Sequence, residues 1–126
     1  MSDATAMTAL RAAVLATARA MNAERLNRGA AGNVSARHDD GLLITPTGMA
    51  YDACTPEDMC FVGLDGRCEG RRKPSSEWRF HHDIYVARPE AGAIVHAHAP
   101  FAVSLACMGM AIPAFHYMVA RFGGSD

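Results

Sequence analysis

The sequence predicts one α/β domain in which helices cover the faces of a mixed sheet. Three observations support this prediction. Apolar residues spaced by three and four mark an amphipathic helix over residues 5–27, and short β-type segments separated by turns fill residues 33–64. Patterns typical of a helix, a strand and a second helix then follow one another between residues 75 and 109. At 126 residues the chain is long enough to bury a core within a single domain.

The first half of the chain is predicted to start with this helix and to continue as hairpins. The apolar stripe of the helix consists of Met7, Leu10, Val14, Ala18 and Met21. Glycines at positions 29 and 32 suit a tight exit from it. Turn-forming residues then separate three predicted strands, at residues 33–37, 42–45 and 60–64. A short helical turn is predicted to begin at Thr55, before the third strand.

The second half is predicted to alternate helices with one strand. A helix of about 12 residues begins at Pro74-Ser75-Ser76-Glu77 and ends before Pro89. Its predicted buried face is formed by Phe80, Ile84 and Ala87. A strand then runs to His98, and another apolar helix starts at Pro100. The pattern of residues 115–119 fits either a helix or a strand.

Composition excludes several classes of function. The net charge is −1, so the chain has no general attraction for nucleic acid or an anionic membrane surface. Apolar residues make up 50% and charged residues 20%, as in ordinary soluble domains, and no apolar run is long enough to predict a membrane span. The cysteines lack the spacing of redox or zinc-knuckle motifs, so we expect reduced thiols in a cytoplasmic protein. These cysteines are Cys54, Cys60, Cys68 and Cys107.

Two histidines near the end of the predicted second-half strand indicate a metal site. His96 and His98 are two positions apart, so an extended backbone presents both imidazoles on one face. Paired imidazoles are typical zinc ligands, and Glu77 adds a carboxylate that can bind the metal or act as a base. Hydrogen-bonded core histidines remain the alternative interpretation. The adjacent histidines His81 and His82 cannot both face one site on a helix.

Three turn-like segments offer neutral donors to an anion. Ser75-Ser76-Glu77 combines two hydroxyls with the free N–H groups of a helix N-terminus. Gly32-Asn33 and Thr47-Gly48 each place a small residue beside a hydrogen-bonding side chain. Simple helix capping and ordinary turn chemistry are the alternatives for these segments.

Taken in order, five motifs resemble those of the class II aldolase/adducin family, and the resemblance covers nearly the whole chain. The motifs are Gly32-Asn33-Val34-Ser35, Thr45-Pro46-Thr47-Gly48, Ser75-Ser76-Glu77, His96-Ala97-His98 and Ile112-Pro113-Ala114-Phe115-His116-Tyr117. The resemblance implies a three-layer α/β/α sandwich with a mixed, largely antiparallel central sheet. It also implies a homotetramer with sites between subunits.

The resemblance implies roles for individual residues. His96 and His98 match two of three zinc-binding histidines, and Glu77 matches a catalytic glutamate that also touches the metal in the resting site. Tyr117 matches a tyrosine that serves the site of a neighbouring subunit. The residues that match the phosphate-binding positions are Asn33, Thr47, Gly48, Ser75 and Ser76.

The implied function is that of a zinc-dependent aldolase-type lyase. It would cleave or form a carbon–carbon bond in a small phosphorylated sugar through a metal-stabilised enediolate. Dihydroxyacetone phosphate would be the product of cleavage and the substrate of the reverse reaction. A sugar-phosphate 4-epimerase, dehydratase or decarboxylase on the same scaffold is the alternative. A non-catalytic, adducin-like binding module is a second alternative.

One ligand of the family is not found in this chain. The third zinc histidine of the family lies beyond position 126, so we expect residues 1–126 to form a single domain from which the C-terminal part of the family domain is missing. Such a chain is expected to expose apolar surface and an unpaired strand edge.

Overall fold

A five-stranded sheet forms the centre of the computed structural model, which describes residues 3–122. The strands are β1 (Asn33–His38), β2 (Gly41–Ile44), β3 (Cys60–Gly63), β4 (Cys68–Glu69) and β5 (Ala93–His96). Their spatial order is β4-β3-β2-β1-β5, and each described pair is antiparallel rather than mixed. The helices are α1 (Asp3–Ala23), α2 (Trp78–Ala87) and α3 (Pro100–Cys107). Short 3₁₀ turns at Tyr51–Ala53, Pro56–Asp58 and Tyr117–Phe122 complete the described elements.

Helices cover both faces of the sheet, which confirms the predicted α/β class. On one face, Val34 and Ala36 of β1 pack into a cluster with the apolar stripe of α1. On the other face, residues of β2 and β3 pack around Tyr85 of α2. Because side chains alternate along a strand, Asn33 and Ser35 of β1 point away from α1 and toward α2. The sheet therefore presents polar groups to α2, and these groups organise the site described below.

The orientation of α2 differs from the prediction. Phe80 and Ile84, which were expected to be buried, are 64% and 42% exposed, and Ala87 is exposed as well. The buried residues of the helix are His81 and Tyr85. The imidazole of His81 and the hydroxyl of Tyr85 both hydrogen-bond the hydroxyl of Ser35, so the polar face of β1 determines which side of the helix is buried.

Two element boundaries and one further strand also differ from the prediction. Helix α1 ends at Ala23 rather than at residue 27, and Arg25 follows it in the left-handed conformation with φ of 59°. Strand β5 ends at His96 and does not reach His98. Strand β4 was not predicted, because two exposed residues between turns carry no periodic signal. None of the described helices combines the length and apolarity needed to cross a membrane.

Apolar surface is exposed on the second half of the chain, as expected from the sequence. Phe101 of α3 is 88% exposed and Val95 of β5 is 52% exposed. Strand β5 lies at the edge of the sheet, where β1 is its only neighbour among residues 3–122. All four cysteines are unpaired.

Candidate active site

The site lies where β1 and β5 meet. In the antiparallel register of this pair, Asn33 is directly opposite His96. Gly32 precedes Asn33, and a Cβ atom there would lie 2.4 Å from the carbonyl oxygen of His96. Only glycine allows this close approach of the two backbones. The tight contact therefore places His96 beside the start of β1.

Glu77, His96 and His98 converge at this point. One ligand atom from each lies within 4.8 Å of the others. Oε2 of Glu77 is 3.3 Å from Nδ1 of His96, and its Oε1 is 3.7 Å from Nε2 of His98. The two imidazole rings are 4.9 Å apart between centroids. The structure thus brings together the three residues that the sequence predicted as metal ligands.

His98 reaches the site from beyond the end of the strand. Its backbone N–H donates a hydrogen bond of 3.0 Å to Oδ1 of Asn27, a buried residue that follows α1. The carboxamide oxygen of Asn27 thus accepts the hydrogen bond that a neighbouring strand would otherwise accept from the N–H of His98. The neighbouring imidazoles were predicted from strand geometry, whereas the structure holds the second one by a side-chain hydrogen bond.

Asn33 links Glu77 to both His96 and His81. Its Nδ2 donates to Oε2 of Glu77 at 2.7 Å. Its Oδ1 lies 3.1 Å from Nδ1 of His96 and 2.5 Å from Nε2 of His81. Asn33 and His81 are both almost fully buried.

His81 is the residue of this cluster that sequence reasoning missed. Burial, with a smaller contribution from His96, lowers the pKa of His81 to about 4, so its ring is neutral near pH 7. The available signal was its spacing, because His81 lies four positions after Glu77 and helical residues at this spacing share a face.

The predicted anion-binding segments are joined by backbone hydrogen bonds. Ser75 N–H donates to the Thr45 carbonyl at 3.0 Å, and Thr47 N–H donates to the Lys73 carbonyl, also at 3.0 Å. Thr47 and Ser76 are exposed, whereas Ser75 is buried. Within residues 3–122, the N–H groups of Gly48 and Ser76 have no hydrogen-bond partner. The two segments therefore present open donors side by side.

Two residues predicted for the site lie apart from these groups. Asn33, predicted to bind phosphate, hydrogen-bonds Glu77, His81 and His96, and not Thr47, Gly48, Ser75 or Ser76. Tyr117 is 80% exposed, and its ring stacks on His116 with 4.4 Å between centroids. Within residues 3–122, no hydrogen bond or ring contact joins Tyr117 to Glu77.

Comparisons with known proteins agree on the kind of protein that this chain resembles. The family model described as "Class II Aldolase and Adducin N-terminal domain" matches residues 12–126. A 5-methylthioribulose-1-phosphate/5-deoxyribulose-1-phosphate aldolase of Rhodospirillum rubrum is 55% identical over 118 residues, which cover 94% of this chain and 53% of that protein. An L-fuculose phosphate aldolase of Escherichia coli is 48% identical over 101 residues, covering 80% of this chain and 47% of the relative.

A solved structure of an L-fuculose 1-phosphate aldolase shares this architecture. It superposes with a TM-score of 0.82 at 32% identity and covers 88% of this chain and 54% of that chain. The chain thus spans about half the length of the curated relatives it matches.

Proposed function

The chain belongs to the class II aldolase and adducin family, and on that premise we propose that it carries the metal and phosphate sites of an aldolase-type carbon–carbon lyase. The observation that carries this proposal is the convergence of Glu77, His96 and His98 within 4.8 Å. The substrate that we propose is a small phosphorylated sugar, cleaved to or formed from dihydroxyacetone phosphate. The names of the relatives support a ketose phosphate, because each is an aldolase of such a compound.

The donor set fits a divalent metal ion, and zinc is the ion that we propose. Two imidazoles and one carboxylate are typical zinc ligands, and Asn33 supplies the outer hydrogen bonds that usually orient such ligands. When bound, the ion would supply Lewis-acid stabilisation of negative charge on the substrate oxygens. The resemblance implies a further histidine ligand, whose position in the family lies beyond residue 126.

Glu77 is the proposed general base. Its carboxylate is partly exposed, with 28% of the side chain accessible, so a substrate can reach it. Asn33 holds Oε2 at 2.7 Å, which fixes the direction of the carboxylate. In this role Glu77 takes or returns the proton at the carbon next to the substrate carbonyl.

The segments around Thr47 and Ser75 are the proposed phosphate clamp. Gly48 and Ser76 contribute open N–H groups, and the hydroxyls of Thr47 and Ser76 add neutral donors. The resemblance also assigns Asn33 to phosphate binding, whereas its amide here donates to Glu77. Binding of the phosphate, away from the reacting carbon, would orient the sugar over Glu77.

Tyr117 supports the proposal that the active protein is a homo-oligomer, with a homotetramer expected. The side chain is 80% exposed, and within residues 3–122 it makes no hydrogen bond or ring contact with the Glu77 cluster of its own chain. It is therefore free to act as a proton donor in the site of a neighbouring subunit. The unpaired cysteines support a reducing compartment, and we propose that the protein is cytoplasmic.

Two other functions are compatible with the same residues. A 4-epimerase, dehydratase or decarboxylase would need the same metal and carboxylate. A non-catalytic binding module is the second alternative. The presence of both histidines and Glu77 at one point favours the enzyme.

Metal analysis and substrate turnover test the proposal. The purified chain is expected to hold stoichiometric zinc and to lose it when His96→Ala and His98→Ala are combined, while His82→Ala on α2 keeps it. Release of dihydroxyacetone phosphate from ketose 1-phosphates is the expected activity. Traces of zinc that the double substitution does not change would favour the binding module. Zinc binding without release of dihydroxyacetone phosphate from any of these sugars would refute the lyase.

A further inference from the structure

A series of buried polar side chains, joined by hydrogen bonds, leads from Asn33 of the site to Tyr85 of α2. The hydroxyl of Tyr85 is 2.9 Å from Oγ of Ser35, and Oγ is 2.7 Å from Nδ1 of His81. On the other side of the ring, Nε2 of His81 is 2.5 Å from Oδ1 of Asn33. The side chains of these four residues are buried, so each hydrogen bond replaces one that water would otherwise make.

The directions of these hydrogen bonds follow from the Asn33 end of the hydrogen-bonded series. Asn33 donates from Nδ2 to the Glu77 carboxylate, so its Oδ1 faces His81 and can only accept. His81 must therefore carry its proton on Nε2, and its Nδ1 accepts from the Ser35 hydroxyl. Ser35 in turn accepts from Tyr85. The other tautomer of His81 would place a lone pair against the Asn33 oxygen at 2.5 Å.

We propose that His81 is a positioning residue of the metal site, which holds the Asn33 amide in the orientation that braces Glu77 and receives the Nδ1–H of His96. This arrangement leaves Nε2 as the lone-pair nitrogen of His96, the form in which an imidazole binds a metal. The inference rests on the proposed metal site. An amide does not relay protons, so the chain of bonds orients groups and does not conduct a proton from Tyr85 to Glu77.

The tautomer of His81 is the first test, and it does not depend on metal. Long-range proton–nitrogen NMR correlations of the metal-free protein near neutral pH are expected to show a neutral His81 with the proton on Nε2. Ser35→Ala, which removes the donor to Nδ1, is expected to change the Nδ1 resonance most. A proton on Nδ1, or a charged ring, would overturn the inference.

Zinc affinity is the second test. His81→Leu removes the N–H, and we expect about 10- to 100-fold weaker zinc binding, as is usual when a partner of a metal ligand is lost. His81→Gln keeps an N–H close to the position of Nε2 and is expected to recover much of the affinity. His82→Gln is the matched control, because His82 hydrogen-bonds Leu64 and Asp83 outside the site. The zinc affinity of this variant should equal that of the wild type.

The outcomes separate this inference from the proposed function. Equal affinity of His81→Leu and the wild type would overturn the positioning role, and so would equal losses in the leucine and glutamine variants. If His81→Leu does not fold, Ser35→Ala takes its place, with weaker zinc binding expected and an unchanged affinity counting against the role. A wild-type protein that takes up no zinc would refute the metal site, while the tautomer measurement would still decide the role of His81.

Discussion

Glu77 is the residue on which the site depends most. It is the only acidic side chain in the described cluster, and its two oxygens face different imidazoles. Asn33 holds one of these oxygens through a charge-assisted hydrogen bond, the stronger kind. The position of the carboxylate is thus set before any metal or substrate arrives.

Replacing this carboxylate tests its role as a ligand. Glu77→Gln keeps the shape and an oxygen for Asn33 but removes the negative charge, so zinc affinity is expected to fall by about tenfold or more. The melting temperature should change little. Titration with zinc measures the loss, and Glu57→Gln, at an exposed position of the Pro56–Asp58 turn, is the control. Equal zinc affinity in Glu77→Gln and the wild type would exclude Glu77 as a ligand.

At the scale of elements, the junction of β1 and β5 depends on one glycine. A methyl group at Gly32 would meet the His96 carbonyl at 2.4 Å and the Asn27 side chain at 3.0 Å. Backbone atoms cannot move aside as the end of a flexible side chain can. The spacing between the two strands is therefore set by the absence of a side chain at this position.

We expect Gly32→Ala to destabilise the protein by about 1–3 kcal/mol, because the added methyl overpacks a rigid contact. It should also weaken zinc binding, since the contact involves His96 itself and His98 follows two positions later. Chemical denaturation and zinc titration measure the two effects. Gly92→Ala is the control, because a Cβ there meets nothing within 4 Å. Wild-type stability and zinc affinity in Gly32→Ala would show that the strands can separate without cost.

A buried carboxylate anchors the basic loop that precedes Ser75. Asp58 is 2% exposed and accepts hydrogen bonds of 2.9 Å from both Arg71 and Arg72. A hydrogen bond from the backbone of Thr55, followed by those from the two arginines, holds the pKa of Asp58 well below its usual range. The loop is therefore fixed just before the proposed phosphate clamp.

This pKa shift predicts the pH dependence of folding. Because the pKa of Asp58 is lowered by folding, its carboxylate stabilises the fold fully when the pH is above the pKa of an ordinary aspartate, about 4. This stabilisation is lost as the pH falls below that value toward the lowered pKa. Asp58→Asn should cost about 2 kcal/mol near neutral pH and reduce the acid dependence of stability. Denaturation at about pH 7 and about pH 3 measures both. Asp52→Asn, at an exposed position, is the control, and an equal acid dependence in both variants would contradict the assignment.

At the scale of the whole molecule, an apolar groove lies next to the site. It has a volume of about 320 Å³ and is lined chiefly by Phe80 and Ile84 of α2 and by Ile94 and Val95 of β5. The groove follows the edge of the sheet, where β5 has no second neighbouring strand among the residues that the structure describes. Exposed apolar surface beside an open edge favours association with another chain.

We expect the isolated chain to self-associate through this groove. The combination Phe80→Asp and Val95→Lys introduces charge into it and should shift the protein toward the monomer in sedimentation velocity. Leu26→Asp is the control, because Leu26 is 53% exposed but does not line the groove. A wild-type protein that stays monomeric at high concentration would contradict this prediction, and so would self-association that the double substitution leaves unchanged.

Elements with strong local patterns, and the identity of the chemical groups, could be predicted from the sequence. Short β-type segments between turns predicted β1, β2 and β3, and the motif order predicted the family that the comparisons confirmed. His96, His98 and Glu77 were recognised because their residue types and spacing carry chemistry. Their roles as ligands and base remain predictions, as do those of Tyr117 and the phosphate-binding residues.

Which of these groups meet could not be predicted, because it depends on how the strands and helices pack. Asn33 is 63 positions from His96 in the chain, and the strand register, not any local pattern, joins them. The short helix α2 has apolar residues on more than one side, so its buried face depended on the hydroxyl of Ser35, which selected His81 and Tyr85. Periodicity describes a helix or strand alone, whereas burial is a property of two surfaces in contact. The polar face of β1 was therefore visible as a site only after folding.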